Sequence, residues 1–109
     1  MIDGLVAGRL HSAPGERIDK AGKAFVVAKV LASAAEGENL IVNVIAFDQE
    51  VCAALLALRD GDSIALAGSL TPRVWTDKQG NTRPSLDMVA IGVLTAHHAA
   101  QSRGALDGG

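Results

Sequence analysis

The chain has 109 residues, 49% of them apolar, and a net charge of −2, which fits one domain with a single core built largely from alanine and valine. A lone cysteine, Cys52, excludes an internal disulfide, and no apolar stretch reaches the length of a membrane span. The first residues lack the basic-then-apolar pattern of a secretion signal, so a soluble, cytoplasmic protein with no membrane partner is expected.

Residues 5–11 are short, apolar and bounded by Ser12, Pro14 and Gly15, which predicts a strand. Residues 12–23 read as a polar loop. Residues 24–33, AFVVAKVLAS, are mostly apolar and β-branched, a second strand with Lys29 as its one charge. Residues 34–39 carry acids and a glycine and read as a hairpin connection. Residues 40–47, LIVNVIAF, form the strongest strand pattern in the chain.

A helix follows. Asp48 suits its N-cap, Glu50 favours its positive end, and Gly61 after Arg59 suits its exit. Val51, Leu55 and Leu58 share one face, and Cys52 in the same apolar run reads as buried filler rather than a nucleophile. Residues 63–76 and 83–95 are a fourth and a fifth strand joined by a polar turn. Pro72 requires an edge, a bend or a bulge in the fourth. The domain is expected to span residues 1–96, and residues 97–109 to form a disordered tail.

Three strands, a helix and two strands are the layout of an OB-fold, an all-β, five-stranded Greek-key barrel with one helix between strands 3 and 4. Its habitual binding face lies on strands 2 and 3, flanked by the loops joining strands 1 to 2 and 4 to 5. The chain has no tyrosine and only three aromatic residues: Phe25 and Phe47 on strands 2 and 3, and Trp75 on the hairpin joining strands 4 and 5. Arg73 and Trp75 stand two apart, on one face of a strand, where a flat ring can stack on an unpaired base while cations meet phosphate. Taken alone, a hairpin tryptophan more often covers a neighbouring sheet. Three sparse aromatics edging one groove reverse that balance.

The charges permit such a site without demanding it. Acids concentrate in residues 36–62 (Glu36, Glu38, Asp48, Glu50, Asp60 and Asp62 against Arg59 alone), leaving the first and last strands free to present a basic face. There is no P-loop, GxSxG, HExxH or Cys-His pairing, so no enzyme, catalytic residue or cofactor is expected. His97 and His98 lack a third ligand nearby, so no metal site is expected.

Residues 68–87, GSLTPRVWTDKQGNTRPSLD, carry a resemblance to the bacterial single-stranded DNA-binding proteins, whose fourth and fifth strands follow GxLxTRxWTDxxGxxRYxTE. Gly68, Leu70, Arg73, Trp75, Thr76, Asp77, Gly80 and Arg83 stand in matching places. Gly8 and Leu10 in LVAGRL, the NVIAF at residues 43–47 and the helix exit at residues 59–62 are similar to the family as well. The resemblance implies that Trp75 and Phe47 stack on bases and that Arg73 meets the phosphate chain. Lys78 is an exposed hairpin cation, and Arg83 matches a recurrent arginine that serves either DNA or structure. Lys29 and Arg9 complete the candidate DNA-binding set, although alternation does not fix their side. Phe25 reads as core or subunit contact.

The implied partners are single-stranded DNA and identical chains in a tetramer or dimer. The implied function is sequence-independent DNA protection in replication, recombination or repair. Departures point to a divergent or specialised member with weaker, shorter-footprint binding. The family's early Trp-His-Arg set is Ile41, Val42 and Asn43 here, Val74 and Asp60 stand where bases are usual, and Asp3 replaces a basic residue. The last residues, 105–109, carry no acidic, phenylalanine-tipped peptide for recruiting replication enzymes. A second reading stays open: a protein-interaction module, like a primosomal replication protein, whose groove docks a partner and meets DNA incidentally.

Overall fold

Alternating apolar side chains let each strand bury one face, and a right-handed twist lets a small sheet close on itself. The protein, seen in a computed structural model, is described for residues 2–33 and 39–95. Its elements are β1 (Ile2–Leu10), β2 (Gly15–Ile18), β3 (Ala24–Ser33), β4 (Asn39–Ala46), α1 (Gln49–Leu56), β5 (Ser63–Thr76) and β6 (Thr82–Thr95). The strand order is β1-β5-β6-β4-β3-β2, and β1 reaches β3 again through Arg9 and Leu10 to close the ring. Only β4 and β6 run parallel; the other pairs are antiparallel. This is the expected OB-fold, with β3 and β4 as barrel strands 2 and 3 and the helix between β4 and β5.

Val26 and Val30 of β3, Val42 of β4, Leu55 of α1, Leu66 of β5 and Met88 of β6 are fully buried. Each contributes about 1.5–3 kcal/mol of apolar burial. Asp48 caps α1 as expected, its Oδ2 accepting from the N–H groups of Glu50 and Val51 at 3.1 Å each. The helix is shorter than predicted and ends at Leu56, with Ala57 as its C-cap. Gly61, at φ +88°, donates its N–H to Leu10 O at 2.9 Å, and Leu10 N–H returns to Asp62 O at 2.9 Å. These bonds pull residues 58–62 off the helical path to seal the end of β1.

Residues 12–23 are a second correction. Instead of a loop throughout, Gly15–Ile18 form β2, paired with β3 from Gly15↔Val27 to Ile18↔Ala24. β1 begins three residues earlier than the pattern placed it, because β5 continues to Leu70 opposite Ile2, and β4 one residue earlier, because Asn39 pairs with Ser33. The expected connection at residues 34–38 and the tail, with His97 and His98, lie outside the described residues.

Two features set the shape of the long β5–β6 ribbon. β6 carries an extra residue, Ile91, between the pairs Gly68↔Ala90 and Ala67↔Gly92, so its alternation changes face there. At Gly68 a Cβ would run into the Val89 carbonyl oxygen and backbone, which only glycine avoids. Pro72 lies beyond Leu70, where β1 stops covering β5, so it occupies an edge as expected. From there to Arg83 the ribbon projects as a hairpin.

Candidate nucleic-acid interface

One face of this barrel is an open groove of about 910 Å³ running over β2, β3, β4, β6 and β5. Strand register arranges its floor in rows. Val27, Ile45, Val89 and Ser69 are mutual neighbours across four strands and form a largely apolar row. The next row is polar: Lys29, Asn43, Asp87 and Thr71. Arg73 follows on β5 beyond Thr71, and Arg17 on β2 borders the apolar side.

Aromatic rings stand beyond both ends of the groove. At one end Phe25 and Phe47 pack with centroids 6.0 Å apart and planes tilted by 42°. Phe47 is 58% exposed, and Phe25 is half-buried on the outer face, which removes the core alternative of its expected role as core or subunit contact. At the other end Trp75, 44% exposed, lies on the same face of β5 as Ser69, Thr71 and Arg73. Trp75 pairs with Arg83, while Ala46, just before Phe47, pairs with Ala90. Seven residues of β6 at about 3.3 Å each separate the two ends by roughly 23 Å. Trp75 is not sealed against a neighbouring sheet.

The hairpin turn that holds Trp75 out is tied by Asp77. Its Oδ1 accepts from the N–H groups of Gln79 and Asn81 at 2.9 Å each, its Oδ2 accepts from Arg83 Nε at 3.1 Å, and Gly80 takes φ +83°. The Asn81 bond first, then the Arg83 side chain, hold the Asp77 carboxyl below its ordinary value, outweighing partial burial. Asp19 repeats the arrangement in the β2–β3 turn, accepting from Ala21 and Lys23 N–H at 2.9 Å each beside Gly22 at φ +83°. The two turns read DKAGK and DKQGN.

The structure thus gathers only part of the candidate set. Lys29 and Arg73 line the groove, and Phe47 and Trp75 bracket it. Lys78 sits exposed in the turn, making no ion pair among the described residues. Arg83 spends its Nε on Asp77. Arg9 lies on the outside of β1 opposite Leu31 and Ser63 and does not line the groove. Sequence reasoning missed Arg17 and Asp87, and assigned no role to Asn43. Arg73 Nε donates to Asp87 Oδ2 at 3.0 Å, and Asn43 Nδ2 donates to Asp87 Oδ1 at 3.4 Å. With the side chains 61% and 43% exposed, the Arg73–Asp87 pair is worth less than about 1 kcal/mol, so Arg73 is oriented without being locked away.

No family model and no curated protein sequence matches the chain. Solved structures do match. A small single-stranded DNA-binding protein from Streptomyces coelicolor superposes with a TM-score of 0.69 at 24% identity, covering 86% of this chain and 93% of that one. Rim1, a mitochondrial single-stranded DNA-binding protein of S. cerevisiae, matches in two crystal structures at TM-score 0.65 and 15% identity, with 86% and 93% coverage. Identities this low speak to architecture. The chain has the OB-fold of these single-stranded DNA-binding proteins over most of its length.

Proposed function

We propose that the groove binds single-stranded DNA without requiring a sequence. The observation that carries this reading is the placement of rings, exposed Phe47 packed on half-buried Phe25 and exposed Trp75, at opposite ends of a channel bordered by Arg17, Lys29 and Arg73. Stacking contributes about 1–3 kcal/mol per base and tolerates any base, while the cations follow the phosphates. The fold shared with single-stranded DNA-binding proteins supports the same ligand. The protein acts as a binder and not an enzyme, shielding exposed strands in replication, recombination or repair in the cytoplasm.

A homo-oligomer, tetramer or dimer, belongs to this proposal. Among the described residues, positions 2–8 of β1 pair only with β5, which leaves the other edge of that strand open. Beside it Leu5 is 79% exposed, with Leu94 of β6 exposed on the same side of the sheet. An open edge next to an apolar face suits antiparallel pairing with a second copy, which presents the same surface.

Titration of Trp75 fluorescence with oligothymidine tests the binding. Quenching at micromolar protein and low salt, weakening as salt rises, is the expected result. No quenching and no change in anisotropy of a labelled oligonucleotide would reject it in favour of a protein-docking groove.

A further inference from the structure

A groove built for a polyanion should avoid carboxylates, yet Asp87 stands in the middle of this floor. Register sets it between Asn43 and Thr71 in the polar row, with Lys29 beyond Asn43. Its two oxygens differ. Oδ2 takes a 3.0 Å bond from Arg73 Nε, whereas Oδ1 has only the long 3.4 Å contact from Asn43 Nδ2 and keeps acceptor capacity toward the groove. The adjacent row of Val27, Ile45 and Val89 offers a flat apolar bed for a base. The polar row that holds Asp87 runs beside that bed, two residues along each strand.

We propose that Asp87 Oδ1, presented by Arg73 and Asn43, accepts a hydrogen bond from the exocyclic amino group of a base and gives the groove a preference for cytosine over 4-keto pyrimidines. Cytosine offers its N4 amino hydrogens to a carboxylate, while a keto base brings its O4 lone pairs against the negative charge. Arg73 and Asn43 act as positioning residues. The proposal rests on the single-stranded DNA reading and adds one selective contact to a site that otherwise tolerates any base.

The test uses the intact chain and labelled oligonucleotides of about 12 nucleotides, made of deoxycytidine or deoxyuridine, with anisotropy read at pH 8. The two polymers differ only at the pyrimidine 3 and 4 positions. The expected result is about fivefold tighter binding of the cytosine polymer, the equivalent of one hydrogen bond. Asp87→Asn is nearly isosteric and its amide can donate to O4, so the ratio should fall to one or below. Any loosening of Arg73 in that variant moves both affinities alike and leaves the ratio untouched. A wild-type ratio of one or less overturns the proposal whatever the variant does, as does a preference that survives in Asp87→Asn. Equal binding of both polymers would leave the general DNA reading standing. Failure of both polymers to bind would remove both readings.

Discussion

Phe25 on β3 and Phe47 just past the end of β4 pack together, 6.0 Å between centroids and 42° between planes, at one mouth of the groove. Tilted pairs at this distance hold each other's rotamers and leave a face open. Phe47→Ala should therefore lower affinity for single-stranded DNA about tenfold, and Phe25→Ala somewhat less, because it removes the buttress rather than the more exposed ring. Neither ring belongs to the buried core, so thermal midpoints should stay within a few degrees of wild type. Anisotropy titrations beside a melting curve check both halves.

Trp75 stands on the hairpin, clear of the core. Trp75→Ala should cost about tenfold in affinity with the far-ultraviolet circular dichroism unchanged, and Trp75→Phe should recover most of the loss because a smaller ring still stacks. Collapse of the fold in the alanine variant would show the indole to be a structural cover instead.

Asp77 links that ring to pH. Its carboxyl titrates below the ordinary value of 3.8, chiefly through the Asn81 N–H bond and then through Arg83. A depressed folded-state value means the ionised form stabilises the turn: the contribution is present above pH 3.8 and is lost as the pH falls below it through the folded-state value. Acidification should shift Trp75 emission only below pH 3.8. Asp77→Ala should show the shifted emission already at pH 7, with no acid step left. Emission scans of the two proteins from neutral to acid pH decide the matter.

The fold was legible because buried positions alternate through residues 24–30 and 63–68, and the predicted and observed limits of these two strands, 24–33 and 63–76, coincide. β2 was not, since Gly-Glu-Arg-Ile has one exposed apolar residue, Ile18, and no alternation to read. A signal did exist: the DKxGx spacing that closes the Trp75 hairpin also occurs at residues 19–23, and a matching turn implies a matching pair of strands. Overrunning the helix to Arg59 came from counting Leu58 into its apolar face, whereas Gly61 is held by Leu10, far away in sequence.

Site residues followed the same rule. Trp75 and Phe47 stood out as candidates because rare aromatics carry information wherever they stand, and both are exposed in the structure. Asp87 was invisible because its meaning comes from register with Asn43, which lies 44 residues away, and with Lys29 one strand further. Alternation left the side of Arg9 open; register sets it on the outer face of β1, opposite Leu31 and Ser63 and away from the groove lining.

Few groove cations mean a shallow salt response. Arg17, Lys29 and Arg73 border the channel, and Asp87 already engages one of them. Each phosphate contact adds about −0.7 to the slope of log affinity against log salt for a single strand, so three give roughly −2. Lys29→Ala should reduce the magnitude by about 0.7 and weaken binding to every sequence alike. Titrations at several salt concentrations supply the slope. A slope far steeper than this would mean that cations outside the groove, Arg9 and Lys78 among them, carry the contact.

Leu5 is the place to test the proposed oligomer. At 79% exposed on the outer face of β1, it lies outside the core and beside a strand edge left unpaired among the described residues. Leu5→Asp sets a charge where the second copy would place its own, and like charges across a two-fold contact repel. Light scattering should give a multiple of the 11.2 kDa chain mass for wild type and the single mass for Leu5→Asp, with an unchanged circular dichroism spectrum. DNA affinity per site should fall modestly in the variant, because one barrel offers two aromatic ends and a tetramer lets a longer strand pass between them. Wild-type protein that elutes at the single mass at micromolar concentration would mean that β1 keeps its open edge, and that each barrel works alone.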